Sequence, residues 1–357
     1  MTTIDDIRER LTEIRPTGQR DNIVGLGMVQ GVDSQNGAVT IHLAPAALAP
    51  PILQATIADI RRAVGALEGI TAVEVRVQQP SQQTQSPYGE LGPIPGVRDI
   101  IAVSSTKGGV GKSTVAANLA LALQHCGRRV GLLDSDVYGP SMPLMLGISG
   151  RPRMGENKRI FPIEKFGLRV MSMGFFLDDS SPVIWRGPMV MGLVRQFLKD
   201  VEWGELDILV VDMPPGTGDA QLTLVQQVPL AGGVIVTTPQ DVALLDVERG
   251  IAMFQQVNTP VLGVVENMSY YQCDKCGRRE DVFGTGGGSR IAERFGVPLL
   301  GAIPLIPAIR EGGDAGTPIV IAQPQHAASK TFLHIASQVL DAVEAGRAEA
   351  AAPRIIG

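Results

Sequence analysis

Eight consecutive residues decide the fold of this chain: Lys107, Gly108, Gly109, Val110, Gly111, Lys112, Ser113 and Thr114. They follow the apolar run at residues 100–103, which predicts a buried strand that leads into a glycine-rich loop and then a helix. Glycines let backbone N–H groups close around a polyphosphate without Cβ clashes, and the N-terminus of the next helix directs its positive end at the anion. The stretch therefore predicts a phosphate-binding loop.

Two side chains of this loop carry its chemistry. Lys112 is expected to reach the β- and γ-phosphates, and the Ser113 hydroxyl is expected to ligate Mg²⁺. The usual pattern is G-x-x-x-x-G-K-[ST], but Thr106 occupies the first glycine position and an extra lysine, Lys107, follows it. The loop is thus a deviant form of the motif. The chain has no N-K-x-D guanine motif, which favours ATP over GTP.

Length and composition limit the class of protein. The 357 residues suit two domains, and 44% hydrophobic residues with 42 glycines suit an α/β protein with a large core and tight loops. A net charge of −5 without a basic block argues against nucleic acid as a partner. The absence of an 18-residue uncharged apolar stretch argues against a membrane span, and three cysteines point to a reducing, cytoplasmic setting.

The first 80 residues predict a small domain of order α-β-β-α-β. Apolar spacing predicts helices over 4–14 and 51–67, and alternating apolar residues predict strands over 23–32, 38–43 and 71–77. Residues 78–95 are rich in Gln, Ser, Pro and Gly, which predicts a flexible linker, placed at 81–97.

Residues 98–345 predict the second domain, an α/β domain with a mostly parallel, doubly wound sheet. Near-continuous Val, Ile and Leu runs are typical of strands buried on both faces. The predicted strands are 100–104, 129–134, 168–173, 207–212, 233–237, 261–265 and 299–303. A last helix over about 327–345 and a mobile tail over 346–357 complete the prediction.

Acidic residues end two of these strands. Asp212 closes the run Leu209–Val211 and is expected to hold the water shell of Mg²⁺, because that ion keeps several waters and takes few protein carboxylates. Asp134 and Asp136 follow another apolar run. Two carboxylates so spaced are not both expected in a core, so at least one should face the nucleotide.

Cys273 and Cys276 form a C-x-x-C pair after the strand that ends near Asn267. Such a pair can bind one soft metal centre, but it supplies two ligands where a closed zinc site or a [4Fe–4S] cluster needs four. The ligand count suggests two chains that each donate both cysteines. A redox dithiol, a zinc site and unliganded thiols remain alternatives, and Cys126 is expected to be a core residue of the helix after the phosphate loop.

The deviant loop resembles that of the dimeric ATPases of the partition, MinD and nitrogenase iron-protein families. The resemblance implies a homodimer in which Lys107 crosses the interface to the partner's nucleotide. It also implies that Asp136 orients the attacking water, that Asp134 supports Mg²⁺ through water, and that Asn267 reads adenine.

Three further stretches, 134–141, 185–189 and 281–287, together with the cysteine pair, resemble the Mrp/ApbC-type iron–sulfur cluster carriers. The first 80 residues resemble the MIP18-like domain of many bacterial members, but lack the cysteine that this domain sometimes carries. The resemblance implies an ATPase that holds a [4Fe–4S] cluster between two subunits and passes it to apo-proteins. The alternatives are a MinD- or partition-like positioning ATPase and an electron-transfer ATPase like the nitrogenase iron protein.

Overall fold

The structure is a computed structural model. It describes eleven stretches of the chain: 2–16, 21–26, 28–35, 37–43, 50–77, 92–137, 139–155, 159–176, 187–216, 219–273 and 275–351. The chain divides into two compact units, Met1–Tyr88 and Gly89–Gly357. Most of the predicted linker, residues 81–91, lies outside the described residues.

The N-terminal unit has the predicted order of elements. These are α1 (Ile4–Leu11), β1 (Val29–Gln35), β2 (Ala38–Leu43), α2 (Pro50–Gly65) and β3 (Ala72–Val77). β2 pairs with β1 antiparallel and with β3 parallel, which forms a three-stranded sheet. Apolar residues of α1 and α2 pack with those of the sheet into one buried cluster.

The first strand of this unit starts later than predicted. Strand β1 begins at Val29 and not at Ile23. Asn22 accepts backbone hydrogen bonds from Val24 and Gly25, which holds these residues in a turn. Ile23 is buried in that turn, so its apolar character reflects the core and not a strand.

The second unit is built on an eight-stranded sheet. Its strands are β4 (Val97–Ser104), β5 (Val130–Asp134), β6 (Ile163–Lys165), β7 (Leu168–Ser172), β8 (Leu206–Asp212), β9 (Gly232–Thr237), β10 (Val261–Glu266) and β13 (Leu299–Ala302). Their spatial order is β13-β10-β9-β4-β8-β5-β7-β6, and every neighbouring pair is parallel except β6 with β7. The predicted fold class, a mostly parallel doubly wound sheet, is confirmed.

Helices and one small hairpin complete this unit. The helices are α3 (Lys112–His125), α4 (Met142–Met145), α5 (Gly187–Asp200), α6 (Asp219–Gln227), α7 (Asp241–Gln256), α8 (Gly287–Phe295), α9 (Pro307–Asp314), α10 (Ile319–Ala322) and α11 (Ala327–Ala351). The hairpin consists of β11 (Tyr271–Gln272) and β12 (Arg279–Glu280). Among the helices of the described residues, none is both long and apolar enough to cross a membrane.

The last helix is longer than its apolar pattern predicted. α11 continues to Ala351, so residues 346–351 are helical and not part of a tail, while 352–357 lie outside the described residues. Its last turns are held by ion pairs that join Glu344 to Arg128 and Arg347 to Asp99. These partners are more than 200 positions away in sequence, so local apolar spacing could not reveal them.

The sheet brings the predicted site residues to one edge. In a parallel sheet the carboxyl ends of all strands lie together, and ligands bind there. Ser104, Asp134, Asp212, Thr237 and Glu266 each end a strand of this sheet and are all buried. The nucleotide residues predicted separately from the sequence thus fall on the same edge.

Candidate nucleotide and cysteine sites

The backbone conformation of the phosphate loop depends on its glycines. Gly109 and Gly111 adopt φ angles of 82° and 80°, in the region that side chains disfavour. Gly111 is also the N-cap of α3, and no described side chain caps that helix. The N–H groups of the first turn are therefore the donors that a phosphate would accept from.

Lys112 and Asp212 form a buried ion pair across the site. The Lys112 Nζ lies 2.5 Å from Asp212 Oδ1 and 3.3 Å from the Ser113 hydroxyl. Lys112 is only 6% exposed, although no core contact was predicted for it. Burial raises the pKa of Asp212, an effect that Lys112 and then Ser113 oppose.

Asp134 lies directly opposite Asp212, because β5 and β8 are adjacent in the sheet. Its carboxylate accepts hydrogen bonds from the Ser172 hydroxyl at 2.8 Å and from the backbone N–H of Met142 at 3.2 Å. Burial, with the nearby Asp212 charge, raises the pKa of Asp134 to about 7. The two carboxylates thus share a site that favours a cation.

The donor set suits Mg²⁺. Asp212 Oδ2 is buried and has no hydrogen-bond partner among the described residues, and the Ser113 hydroxyl lies beside the Lys112–Asp212 pair. Hydroxyl and carboxylate oxygens are the hard ligands that Mg²⁺ takes, with waters completing its shell. Ser113 and Asp212 would therefore hold the ion, with Asp134 behind them.

Asp136 lies in the loop after β5. It is 8% exposed, and its Oδ1 accepts a hydrogen bond of 3.2 Å from the Gly139 N–H. Asp134 is buried completely, so of the two carboxylates Asp136 is the one with an accessible surface. Tyr138, in the same stretch, lies outside the described residues, as do Trp185 and Arg186.

Lys107 contacts its own subunit. Its Nζ lies 3.3 Å from Asp246 Oδ2 on α7, and the Arg249 guanidinium lies 3.2 Å from the other oxygen of the same carboxylate. The Lys107 side chain is 36% exposed. A surface ion pair of this kind contributes about 0–1 kcal/mol, so Lys107 can leave Asp246 at small cost.

Asn267 is hydrogen-bonded to the phosphate loop. Its Nδ2 donates a 2.8 Å hydrogen bond to the carbonyl oxygen of Val110, and a Cβ at Gly111 would overlap that amide nitrogen. The sequence predicted Asn267 only as an adenine contact. The structure shows its side chain supporting the phosphate loop, and an adenine amino group would require an acceptor such as its Oδ1.

Two residues of the site were missed by sequence reasoning. Gln221 on α6 donates to the carbonyl oxygen of Pro214 and, at 3.5 Å, to that of Ser105, which joins the loop after β8 to the start of the phosphate loop. Ser172 binds Asp134, as described above. Ser172 was detectable as a polar residue at the end of an apolar strand, whereas a glutamine on a helix gives no such signal.

The cysteine pair lies in the turn of the β11–β12 hairpin. The Cys273 N–H donates to the Arg278 carbonyl at 2.9 Å, and the Gly277 N–H donates to the Cys273 carbonyl at 2.8 Å. Gly277 adopts a φ of 69°, which closes the turn directly after Cys276. Cys276 is exposed and Cys273 half-buried, so both thiols are within reach of a partner.

The described residues contain no group of three or more His, Cys, Asp or Glu side chains arranged to hold a metal ion. Asp274, between the two cysteines, lies outside the described residues. Within one protomer, the hairpin offers the two thiols of Cys273 and Cys276.

The fold and the phosphate loop define the chain as a P-loop NTPase. The family described as the NUBPL iron-transfer P-loop NTPase matches residues 96–340, and that described as iron–sulfur cluster assembly protein matches residues 4–77. The chain belongs to the iron-transfer P-loop NTPase family, which confirms the resemblance noted from its motifs.

Individual relatives agree with this assignment. An iron–sulfur cluster carrier protein of Synechocystis sp. is 47% identical over 344 residues, which cover 95% of this chain and 97% of that protein. The structure of the nucleotide-binding protein of Archaeoglobus fulgidus in complex with ADP superposes with a TM-score of 0.58 at 38% identity, over 66% of this chain and 93% of the other. The cell-division ATPase MinD of Pyrococcus furiosus gives 0.53 at 24% identity, over 68% and 98%, and shares the fold alone.

Proposed function

We propose that this protein is an ATP-hydrolysing carrier that holds a [4Fe–4S] cluster between two subunits and transfers it to apo-proteins. The observation that carries the proposal is the accessible cysteine hairpin that follows β10, because the end of the same strand contacts the phosphate loop through Asn267. The name of the Synechocystis relative supports the cargo, and the motif residues support the nucleotide.

The nucleotide lies with its phosphates on the loop N–H groups and on Lys112. Lys112 turns from Asp212 to the phosphates as they enter, and Asn267 contacts the adenine. Mg²⁺, when bound, neutralises phosphate oxygens as negative charge develops. Asp136 accepts a hydrogen bond from the attacking water and orients it, because its carboxylate is at the accessible end of β5.

Asp136→Asn is expected to retain Mg·ATP binding and to hydrolyse ATP about 10²-fold more slowly, since a neutral amide orients and activates water poorly. Asparagine keeps an oxygen for the Gly139 N–H, so the loop stays in place. Steady-state phosphate release and a fluorescent-nucleotide titration separate the two effects. Loss of nucleotide binding together with hydrolysis would instead make Asp136 a binding or structural residue.

The dimer supplies Lys107 to the partner's nucleotide. Within one protomer the Lys107 ammonium pairs with the half-buried carboxylate of Asp246, and a cation delivered in trans is worth orders of magnitude in phosphoryl transfer. The two subunits then complete each other's sites.

Mixing two inactive variants tests this exchange. Lys107→Ala and Asp136→Asn should each be nearly inactive alone. An equimolar mixture is expected to recover roughly a quarter of the wild-type rate, because half of the dimers are mixed and each mixed dimer has one complete site. A mixture no faster than its components, with mixed dimers demonstrated by mass spectrometry, would show that Lys107 acts within its own subunit.

The cluster is the cargo of this dimer. Each protomer presents Cys273 and Cys276, so two protomers supply the four thiolates that a [4Fe–4S] cluster takes. The direct test is anaerobic reconstitution with iron and sulfide, followed by counting iron per dimer.

The other two functions have less support. A positioning ATPase shares the fold, but the Pyrococcus MinD structure matches at only 24% identity. An electron-transfer ATPase of the nitrogenase type takes one cysteine from each of two separated positions per chain, whereas this chain offers an adjacent pair. Iron that reconstitutes as a stable, non-transferable centre would favour the electron-transfer function.

The N-terminal unit serves as a separate accessory domain over residues 1–80, joined to the ATPase domain by the linker at 81–97, whose last residue, Val97, is the first residue of β4. The match to residues 4–77 and the compactness of the unit support this division. The unit has no cysteine and is therefore not a source of thiolate ligands. The three cysteines suit a reducing compartment, and we place the protein in the cytoplasm.

A further inference from the structure

Glu266, the last residue of β10, has a buried carboxylate that the proposed ATPase chemistry does not use. It is 3% exposed. Its Oε1 accepts a 2.5 Å hydrogen bond from the Ser269 hydroxyl, and its Oε2 accepts one of 2.5 Å from the backbone N–H of Gly288. Both oxygens are thus satisfied within the chain, as a buried carboxylate requires.

The bond to Gly288 explains how α8 begins. The N-cap of this helix is Gly286, which has no side chain to accept from the first N–H groups. Glu266 supplies that acceptor from the sheet, and its negative charge is favourable at the helix N-terminus. A Cβ at Gly288 would lie 3.0 Å from the Glu266 Cβ, so glycine permits the close approach.

The two partners of Glu266 bracket the cysteine segment. Ser269 precedes the β11–β12 hairpin and Gly288 follows it, so one carboxylate holds both ends of the stretch that contains Cys273 and Cys276. The entry to the hairpin is fixed further because Leu305 N–H donates to the Tyr270 carbonyl at 2.7 Å.

Glu266 is also adjacent in sequence to Asn267, whose amide binds the Val110 carbonyl of the phosphate loop. A continuous path of hydrogen bonds and chain therefore runs from the phosphate loop through Asn267 and Glu266 to both ends of the cysteine segment. This path connects the two sites physically, and coupling additionally requires that both sites bias one element with two states, which is what the experiment below measures.

We propose that Glu266 is a positioning residue that couples occupancy of the nucleotide site to the exposure of the cysteine pair. The inference rests on the proposed function and adds to it the connection between nucleotide and cargo. A nucleotide that shifts Asn267 or the Val110 carbonyl moves the end of β10, and the carboxylate there moves both ends of the cysteine segment.

The test measures thiol reactivity in the metal-free, full-length protein. Iodoacetamide labelling is followed at each cysteine by mass spectrometry, with and without saturating Mg·ADP, and Cys126 serves as the internal reference. Wild type is expected to show a nucleotide-dependent change in the labelling rate of Cys276. Glu266→Gln, which keeps the side chain's size, is expected to bind nucleotide and lose that change.

Two further variants make the result specific. Glu293→Gln changes an exposed glutamate on the same helix α8 and should behave as wild type. Ser269→Ala removes one of the two hydrogen bonds to Glu266 and should reduce the nucleotide-dependent change in Cys276 labelling. It therefore tests the proposal if Glu266→Gln does not fold. An unchanged nucleotide effect in Glu266→Gln or in Ser269→Ala overturns the proposal, and so does a wild type without any effect.

The result of the cysteine labelling does not depend on cluster binding. Labelling needs no iron, so coupling can be found even if reconstitution yields no cluster and the proposed cargo is wrong. Conversely, a dimer that binds four irons but shows no nucleotide effect on Cys276 keeps the proposed function and rejects the role of Glu266.

Discussion

Cys273→Ala and Cys276→Ala are each expected to abolish binding of the iron–sulfur cluster. Each substitution removes one thiolate per chain, so a symmetric dimer loses two of the four ligands that a [4Fe–4S] cluster takes. The measurement is iron and sulfide per dimer after anaerobic reconstitution, together with the visible absorption of the cluster. Dimer mass is measured separately, because the dimer should survive without the cluster if the ATPase domains meet elsewhere.

Cys126 provides a matched control for the two hairpin cysteine variants. This residue forms the C-cap of α3, where partial burial of the thiol raises its pKa and disfavours the thiolate that binds metal. The residue itself is exposed, against the prediction of a core position. Cys126→Ala should leave cluster loading unchanged. Wild-type iron and sulfide in both hairpin variants would falsify the shared site, and a protein that takes zinc but refuses iron would favour a structural zinc site.

Lys112→Ala is expected to lower ATP hydrolysis by at least about 10³-fold, because it removes the cation that we propose contacts the transferred phosphate. The structure adds a second consequence. Without Lys112, the buried Asp212 carboxylate loses the one cation that pairs with it among the described residues, and breaking a buried pair by removing one partner typically costs about 3–5 kcal/mol. A lower melting temperature is therefore expected beside the lost activity.

Two comparisons separate catalysis from stability in this experiment. Lys330→Ala removes an exposed lysine from α11 and should leave both hydrolysis and melting unchanged. Lys112→Ala combined with Asp212→Asn removes both partners of the buried pair, so it should recover stability while remaining inactive. Hydrolysis at the wild-type rate by folded Lys112→Ala protein would overturn the assignment of the phosphate loop.

Features that depend on neighbouring residues could be predicted before the fold was known. The phosphate loop could be read from Gly109, Gly111 and Lys112, because glycine conformations and the loop's hydrogen bonds are local. Apolar runs that end in Asp134 and Asp212 predicted two strands, because both faces of a central parallel strand are buried. The two aspartates marked the carboxyl ends of those strands. The hairpin cysteines were visible as a pair through their spacing alone.

Contacts between side chains that are distant in sequence became visible only in the tertiary structure. Lys112 and Asp212 are 100 positions apart, and their contact depends on β4 and β8 lying side by side. The hydrogen bond between Asn267 and Val110, which are separated by 157 positions, likewise depends on the fold. Sequence periodicity reports burial, but it carries no information on the partner.

The role of Glu266 is the clearest case of this limit. Its sequence context is a carboxylate after an apolar strand, the same signal that Asp134 and Asp212 give. Asp212 pairs with Lys112 of the phosphate loop, and Asp134 lies opposite Asp212. Glu266 instead caps α8 and holds the cysteine segment. The difference arises because a helix whose own N-cap is glycine returns to the end of β10, and that return is a property of the folded chain alone.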